Sequence, residues 1–224
     1  MMAADIVFPV SEFTKTCIVK HYGIDEEKIF PVYNAIDPAD TFRIEKNMDK
    51  KIVLFLGRIT HQKGPEFLLD TAEKLLYKEK NVVFVIAGTG DKQRWLMDQV
   101  NQKQLAEYFI FTGFLNKAKV INILAQSDVY FMPSVSEPFG LSALEAAQFE
   151  IPCVLSAQSG VSEVLTETLT ANFWDTSKFA NYIYALLHYK GLRSELVNGS
   201  KQDIEEMSWN KTAQKLMKFY KKIL

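Results

Sequence analysis

The chain has 224 residues, of which 48% are apolar and 24% charged, with a net charge of -1. This is the make-up of a soluble globular protein with one sizeable α/β domain and room for a fragment of a second. So even a balance gives no global electrostatic reason to bind nucleic acid or an acidic membrane, and any anion site must be local.

Cys17 and Cys153 are the only cysteines and form neither a C-x-x-C pair nor a metal cluster, which fits a reducing cytosol. The apolar runs are too short to cross a bilayer, and the Met-Met-Ala-Ala-Asp opening lacks signal-peptide regions. A cytoplasmic location is expected, with a peripheral position on the inner face of the membrane left open.

In chain order, residues 6–10 read as a strand, Ser11 as an N-cap, 12–22 as a helix closed by Gly23, and 29–33 as a second strand. A polar stretch at 38–51 suits a linker or surface loop. Short apolar runs then alternate with helical periodicity. Strands are expected at 52–56, 82–87, 108–112, 129–132, 152–155 and 171–174. Helices are expected at 66–77, 91–102, 117–126, 141–149 and 178–188, with a shorter element at 160–165. The tail reads as helix over 193–207 and again from Trp209 to the end. Strands apolar throughout and separated by helices indicate a doubly wound parallel sheet, with ligands beyond the carboxyl ends of its strands.

Two segments carry candidate chemistry. Gly57-Arg58-Ile59-Thr60-His61-Gln62-Lys63-Gly64 follows the first core strand and puts two cations where a ligand would lie. Arginine offers a planar fork to phosphate oxygens and lysine a compact point charge, a combination suited to a diphosphate. The string is not a Walker loop, and basic loop residues alone are most often solvated. The second segment, Ser136-Glu137-Pro138-Phe139-Gly140-Leu141-Ser142-Ala143-Leu144-Glu145, runs from a strand end into a helix. Free amides at Gly140, Leu141 and Ser142, with the helix dipole, favour an anion. Glu145 falls about 7 Å along the helix from Gly140, and Glu137 on the other side of its start. Each carboxylate would accept hydroxyls from one substituent of a bound diphosphate, as in a nucleotide sugar.

These strings, together with Ala87-Gly88-Thr89-Gly90 and Phe111-Thr112-Gly113-Phe114-Leu115, resemble the group 1 glycosyltransferases in order and spacing. Ser11 and Asn34-Ala35-Ile36-Asp37 match as well, so the resemblance covers nearly the whole chain. It implies a retaining enzyme of the GT-B fold, in which this chain is the C-terminal, Rossmann-like half that binds a nucleoside-diphosphate sugar. It further implies that Arg58 and Lys63 hold the diphosphate and stabilise the leaving group, that Glu137 holds the donor sugar, and that Glu145 holds the ribose. Backbone at Phe139, Gly140 and Leu141 would meet phosphate or sugar, with Gly57 beside them and the base against backbone at Leu115. The donor would be UDP- or GDP-linked, with no metal or other cofactor.

The resemblance also divides the chain. Residues 1–33 would be a remnant of an acceptor-binding domain and linker, 34–207 the nucleotide-sugar-binding domain, and 208–224 a crossover helix. A glycan or lipid-linked acceptor would then belong to a missing N-terminal domain. Exposed ends at 6–10 and 209–224 would favour self-association. Ser159-Gly160 departs from the Gly-Gly pair frequent in the family.

Other readings stay open. The second hypothesis is a nucleotide-sugar-binding module, inactive until a separate domain joins it; a sugar-nucleotide epimerase of similar fold is a minor alternative. Glycoside hydrolysis by Glu137 and Glu145 is disfavoured, since an anion-binding helix start lies between them. His21, His61 and His188 are too dispersed for a metal site. Ala87-Gly88-Thr89-Gly90 needs no more than a tight turn. The lysines of the tail suit a docked helix with a solvated face better than a membrane-surface helix.

Overall fold

A computed structural model describes residues 4–223 apart from 39, 40, 43, 45, 47 and 48. Six strands, β1 (Lys51–Leu56), β2 (Val82–Ala87), β3 (Phe109–Gly113), β4 (Val129–Met132), β5 (Cys153–Ser156) and β6 (Leu169–Ala171), form one sheet in the order β3-β2-β1-β4-β5-β6. Every pairing is parallel. This is the expected doubly wound fold. The order reverses between β1 and β4, so the crevice at a topological switch point opens where these two strands end.

The strands are apolar on both faces because both are covered. In β1, Val53 and Phe55 face a layer containing Leu68, Leu75, Phe179 and Ile183, while Ile52 and Leu54 face one containing Leu124, Leu144 and Ala147. The first layer includes α2 (Pro65–Leu76) and α6 (Thr176–His188); the second includes α4 (Lys117–Gln126) and α5 (Leu141–Gln148). In α2, Leu68, Leu69, Ala72, Leu75 and Leu76 recur at helical spacing and are all buried, which is why this segment is a helix on the sheet. Full burial of one such leucine is worth ~1.5–3 kcal/mol. The remaining helices are α1 (Glu12–Tyr22), α3 (Gln93–Gln102), α7 (Lys190–Glu205) and α8 (Trp209–Ile223).

Several expectations shift. Segments 6–10 and 29–33 are not strands; they meet at a single parallel bridge, Val7 to Ile29. Pro9 and Pro31 remove two donors from so short a pairing, and an isolated two-stranded pair is marginal. The run expected as a strand at 171–174 ends at Ala171, because Asp175 caps α6 two residues ahead of the expected start, accepting from the Lys178 amide at 3.1 Å. The 160–165 element is a 3-10 turn, Gly160–Glu163. Parts of the 38–51 stretch lie outside the described residues.

The chain ends also differ from expectation. The apolar side of α8 has a docking surface within the chain: the Phe219 ring centroid lies 4.6 Å from that of Phe30 and 5.3 Å from that of Phe8. Thr212 donates to the Tyr33 carbonyl and Lys215 to that of Pro31. The N-terminal segment and the last helix cover one another.

Candidate donor-binding site

The loop after β1 is laid on the turn after β2: the Gly57 amide donates to Ala87 O and the Ile59 amide to Thr89 O, both at 2.9 Å. Ile59 is buried and Arg58 exposed, so the loop anchors itself by one side chain and offers the other to solvent. A 3-10 turn, His61–Lys63, then brings Lys63 back over Gly57. Gln62 joins this loop to the one after β4, donating from Nε2 to Ser136 O at 2.8 Å and accepting the Val135 amide on its own carbonyl at 2.9 Å.

The loop after β4 ends at Gly140, which begins α5 with φ 114°, a conformation that strains any L side chain. No side chain caps this helix, so the amides of Leu141 and Ser142 have no partner in the helix itself. The Ser142 hydroxyl is held at 2.7 Å by that of Tyr130, whose burial pushes its pKa far up and keeps it neutral. Phe139 is buried with its ring 6.3 Å from that of Tyr33, so this residue presents only backbone to the crevice.

The expected residues fall into three adjoining groups. Gly57, Arg58 and Leu115 line a pocket of about 230 Å³ with Gly88, Thr89 and Phe114. Glu145 lines a cleft of about 560 Å³ with Asp37, Lys117 and Val120, and Val120 also lines the smaller pocket, so one side chain borders both. Burial raises the Glu145 carboxyl above its ordinary range, with the Lys117 charge opposing that rise.

The third group is a pair. Lys63 Nζ and a Glu137 carboxylate oxygen form an ion pair, with side chains only 14% and 10% exposed. The cation and the carboxylate expected to take different parts of one ligand thus hold each other. Arg58, by contrast, has no ion-pair partner among the described residues. Phe139, Gly140 and Leu141 follow Glu137 after Pro138. Sequence reasoning singled out neither Lys117 nor Tyr130, and it gave no individual role to Asp37 or Gln62, which it quoted only within longer strings. The expected helix at 117–126 put Lys117 at a helix start, but nothing local showed that this turn faces Glu145.

With this geometry in place, comparison with known proteins is informative. The family described as glycosyl transferases group 1 matches residues 37–203. An uncharacterized glycosyltransferase of Methanocaldococcus jannaschii is 32% identical over 233 aligned positions, covering 96% of this chain and 59% of that protein. The N,N'-diacetylbacillosaminyl-diphospho-undecaprenol alpha-1,3-N-acetylgalactosaminyltransferase of Campylobacter jejuni is 27% identical, covering 94% of this chain and 55% of its own length. The Anabaena protein HepE, solved in complex with UDP and glucose, shares the fold with a TM-score of 0.84 at 18% identity, covering 97% of this chain and 63% of that one. The chain thus spans a little over half the length of these curated relatives.

Proposed function

We infer, since this chain belongs to the group 1 glycosyl transferases, that it supplies the donor side of a retaining transfer from a nucleoside-diphosphate sugar to an acceptor hydroxyl. One observation carries the reading: the loop after β1, which bears Arg58 and Lys63, and the loop that leads into the uncapped start of α5 lie side by side at the β1/β4 switch point, tied by the Lys63–Glu137 ion pair. The diphosphate lies there, the base enters the 230 Å³ pocket against backbone at Leu115, and the ribose reaches Glu145 in the adjoining cleft. A diphosphate competes with Glu137 for Lys63. The freed carboxylate then accepts hydroxyls of the donor sugar. As the glycosidic bond breaks, negative charge grows on the departing diphosphate, and Arg58, Lys63 and the α5 amides stabilise it in place without a metal.

UDP or GDP serves as the nucleotide, in keeping with the UDP bound by HepE. The acceptor, a glycan or a lipid-linked saccharide, is held by protein outside these 224 residues, in the cytoplasm or at its membrane face. Calorimetry of UDP and GDP with this chain tests the reading. Saturable binding of one of them supports it, and no binding of either at millimolar ligand defeats it.

A second reading has its own support: the chain spans a little over half the length of its curated relatives. On that reading the 224 residues bind the donor without transferring it. Holding two reactants together can contribute ~7–11 kcal/mol, and that contribution is lost without an acceptor wall. Sustained sugar transfer by this chain alone would exclude it.

A further inference from the structure

We propose that Ser11 and Glu163 form a latch that sets the position of the loop at 138–141, and thereby of the amides offered to the donor's phosphate. The proposal rests on the donor-site reading above but on different residues.

Ser11 is fully buried, though a helix cap needs no burial. Its oxygen accepts the Thr14 amide at 3.0 Å, which is the capping bond, while its proton goes to the Pro138 carbonyl at 2.6 Å. The Thr14 hydroxyl lies 3.2 Å from the same carbonyl. Capping α1 requires only the first of these bonds.

Glu163 completes the attachment. One of its carboxylate oxygens accepts the Glu12 amide and the other the Phe13 amide, each at 2.8 Å. The carboxylate therefore clasps two first-turn donors that the helix cannot satisfy itself, at the end where negative charge is favoured. The 3-10 turn that carries Glu163 also grips the donor loop, since the Gly160 amide donates to Glu137 O at 3.0 Å and the Val161 amide to Phe139 O at 2.8 Å. Three successive carbonyls, at 137, 138 and 139, are thus engaged just before Gly140. The middle one has Ser11 as its shorter partner and the Thr14 hydroxyl as its longer one. There is no slack at this junction: a Cβ on Gly160 would sit 2.4 Å from both Pro138 O and Ser11 Cβ.

The test uses the isotope-labelled chain, with UDP as probe. Ser11→Ala should shift the Gly140 and Leu141 amide resonances without ligand and weaken UDP binding about fivefold, the loss of one neutral hydrogen bond. Ser11→Thr, which keeps the hydroxyl, should restore both. Glu163→Gln retains the shape of the side chain and should move the same resonances less; it carries the test if Ser11→Ala does not fold. Variants with a lower melting temperature but unmoved Gly140 and Leu141 resonances would show a cap and nothing more, overturning the latch. Failure of UDP to bind the parent chain would instead defeat the donor-site reading, leaving the resonances to decide the latch.

Discussion

Replacing Glu137 with glutamine gives a counter-intuitive expectation: removing a residue of the donor site should tighten the binding of free UDP. In the structure Lys63 is held by Glu137, with both side chains largely withdrawn from water. A diphosphate must displace that contact before it can use the lysine. A charge-assisted hydrogen bond is worth ~1.5–3 kcal/mol, and each 1.4 kcal/mol is about tenfold, so Glu137→Gln should strengthen UDP binding by about ten- to a hundredfold. The sugar-bearing ligand should gain less, because the carboxylate that accepts its hydroxyls is gone. Titration calorimetry with UDP and UDP-glucose on both proteins measures the two effects side by side. A lower melting temperature is expected as well, since Lys63 loses its partner. If UDP binds the variant no better than the parent, Lys63 is not a phosphate ligand and the competition described here does not occur.

Three further outcomes are expected. Arg58→Ala should weaken UDP at least tenfold by loss of a charge-assisted contact, with little change in melting temperature, because the side chain is exposed. Glu145→Gln should weaken UDP yet stabilise the fold at neutral pH. Burial raises this carboxyl, so its favourable contribution is present below the ordinary carboxylate range and is lost as pH rises through the raised value. Thermal melts of parent and variant should therefore diverge near pH 7 and converge near pH 4; a gap that widens on acidification would reverse the sign. Finally, the chain should bind nucleotide but transfer no sugar, as read by product formation with UDP-glucose and oligosaccharide acceptors.

The sheet was legible because its signal is local. Continuous apolar runs such as 82–87 have one sensible place, between two covered layers, and Gly57, Gly88 and Gly113 mark the carboxyl ends of the first three. Arg58, Lys63, Glu137 and Glu145 were legible as types at fixed spacing from those ends. Their mutual arrangement was not. That Lys63 would pair with Glu137, 74 positions away, depends on how two loops lie side by side at the switch point. The Lys117 side chain opposite Glu145 depends on the packing of α4 beside α5. The strand expectations at 6–10 and 29–33 failed for a related reason: β-branched and aromatic residues there satisfy the local pattern, but the prolines and the lack of a third strand do not.

The attachment of the N-terminal segment has a consequence for the order in which the molecule assembles. The sheet grows through parallel units close in sequence. In contrast, α1 reaches Pro138 across 127 positions and Glu163 across 150, and Thr212 reaches Tyr33 across 179. Contacts of such separation are costly until the intervening chain is ordered, and such elements belong to the least protected part of a native state. Residues 4–37 and α8 should therefore order after the sheet and open first under mild denaturant, as hydrogen exchange would show. In an intermediate concentration range the chain should keep most of its helical and strand content while the loop before Gly140 loses its anchorage. On the donor-site reading proposed above, UDP binding should then be lost ahead of global unfolding.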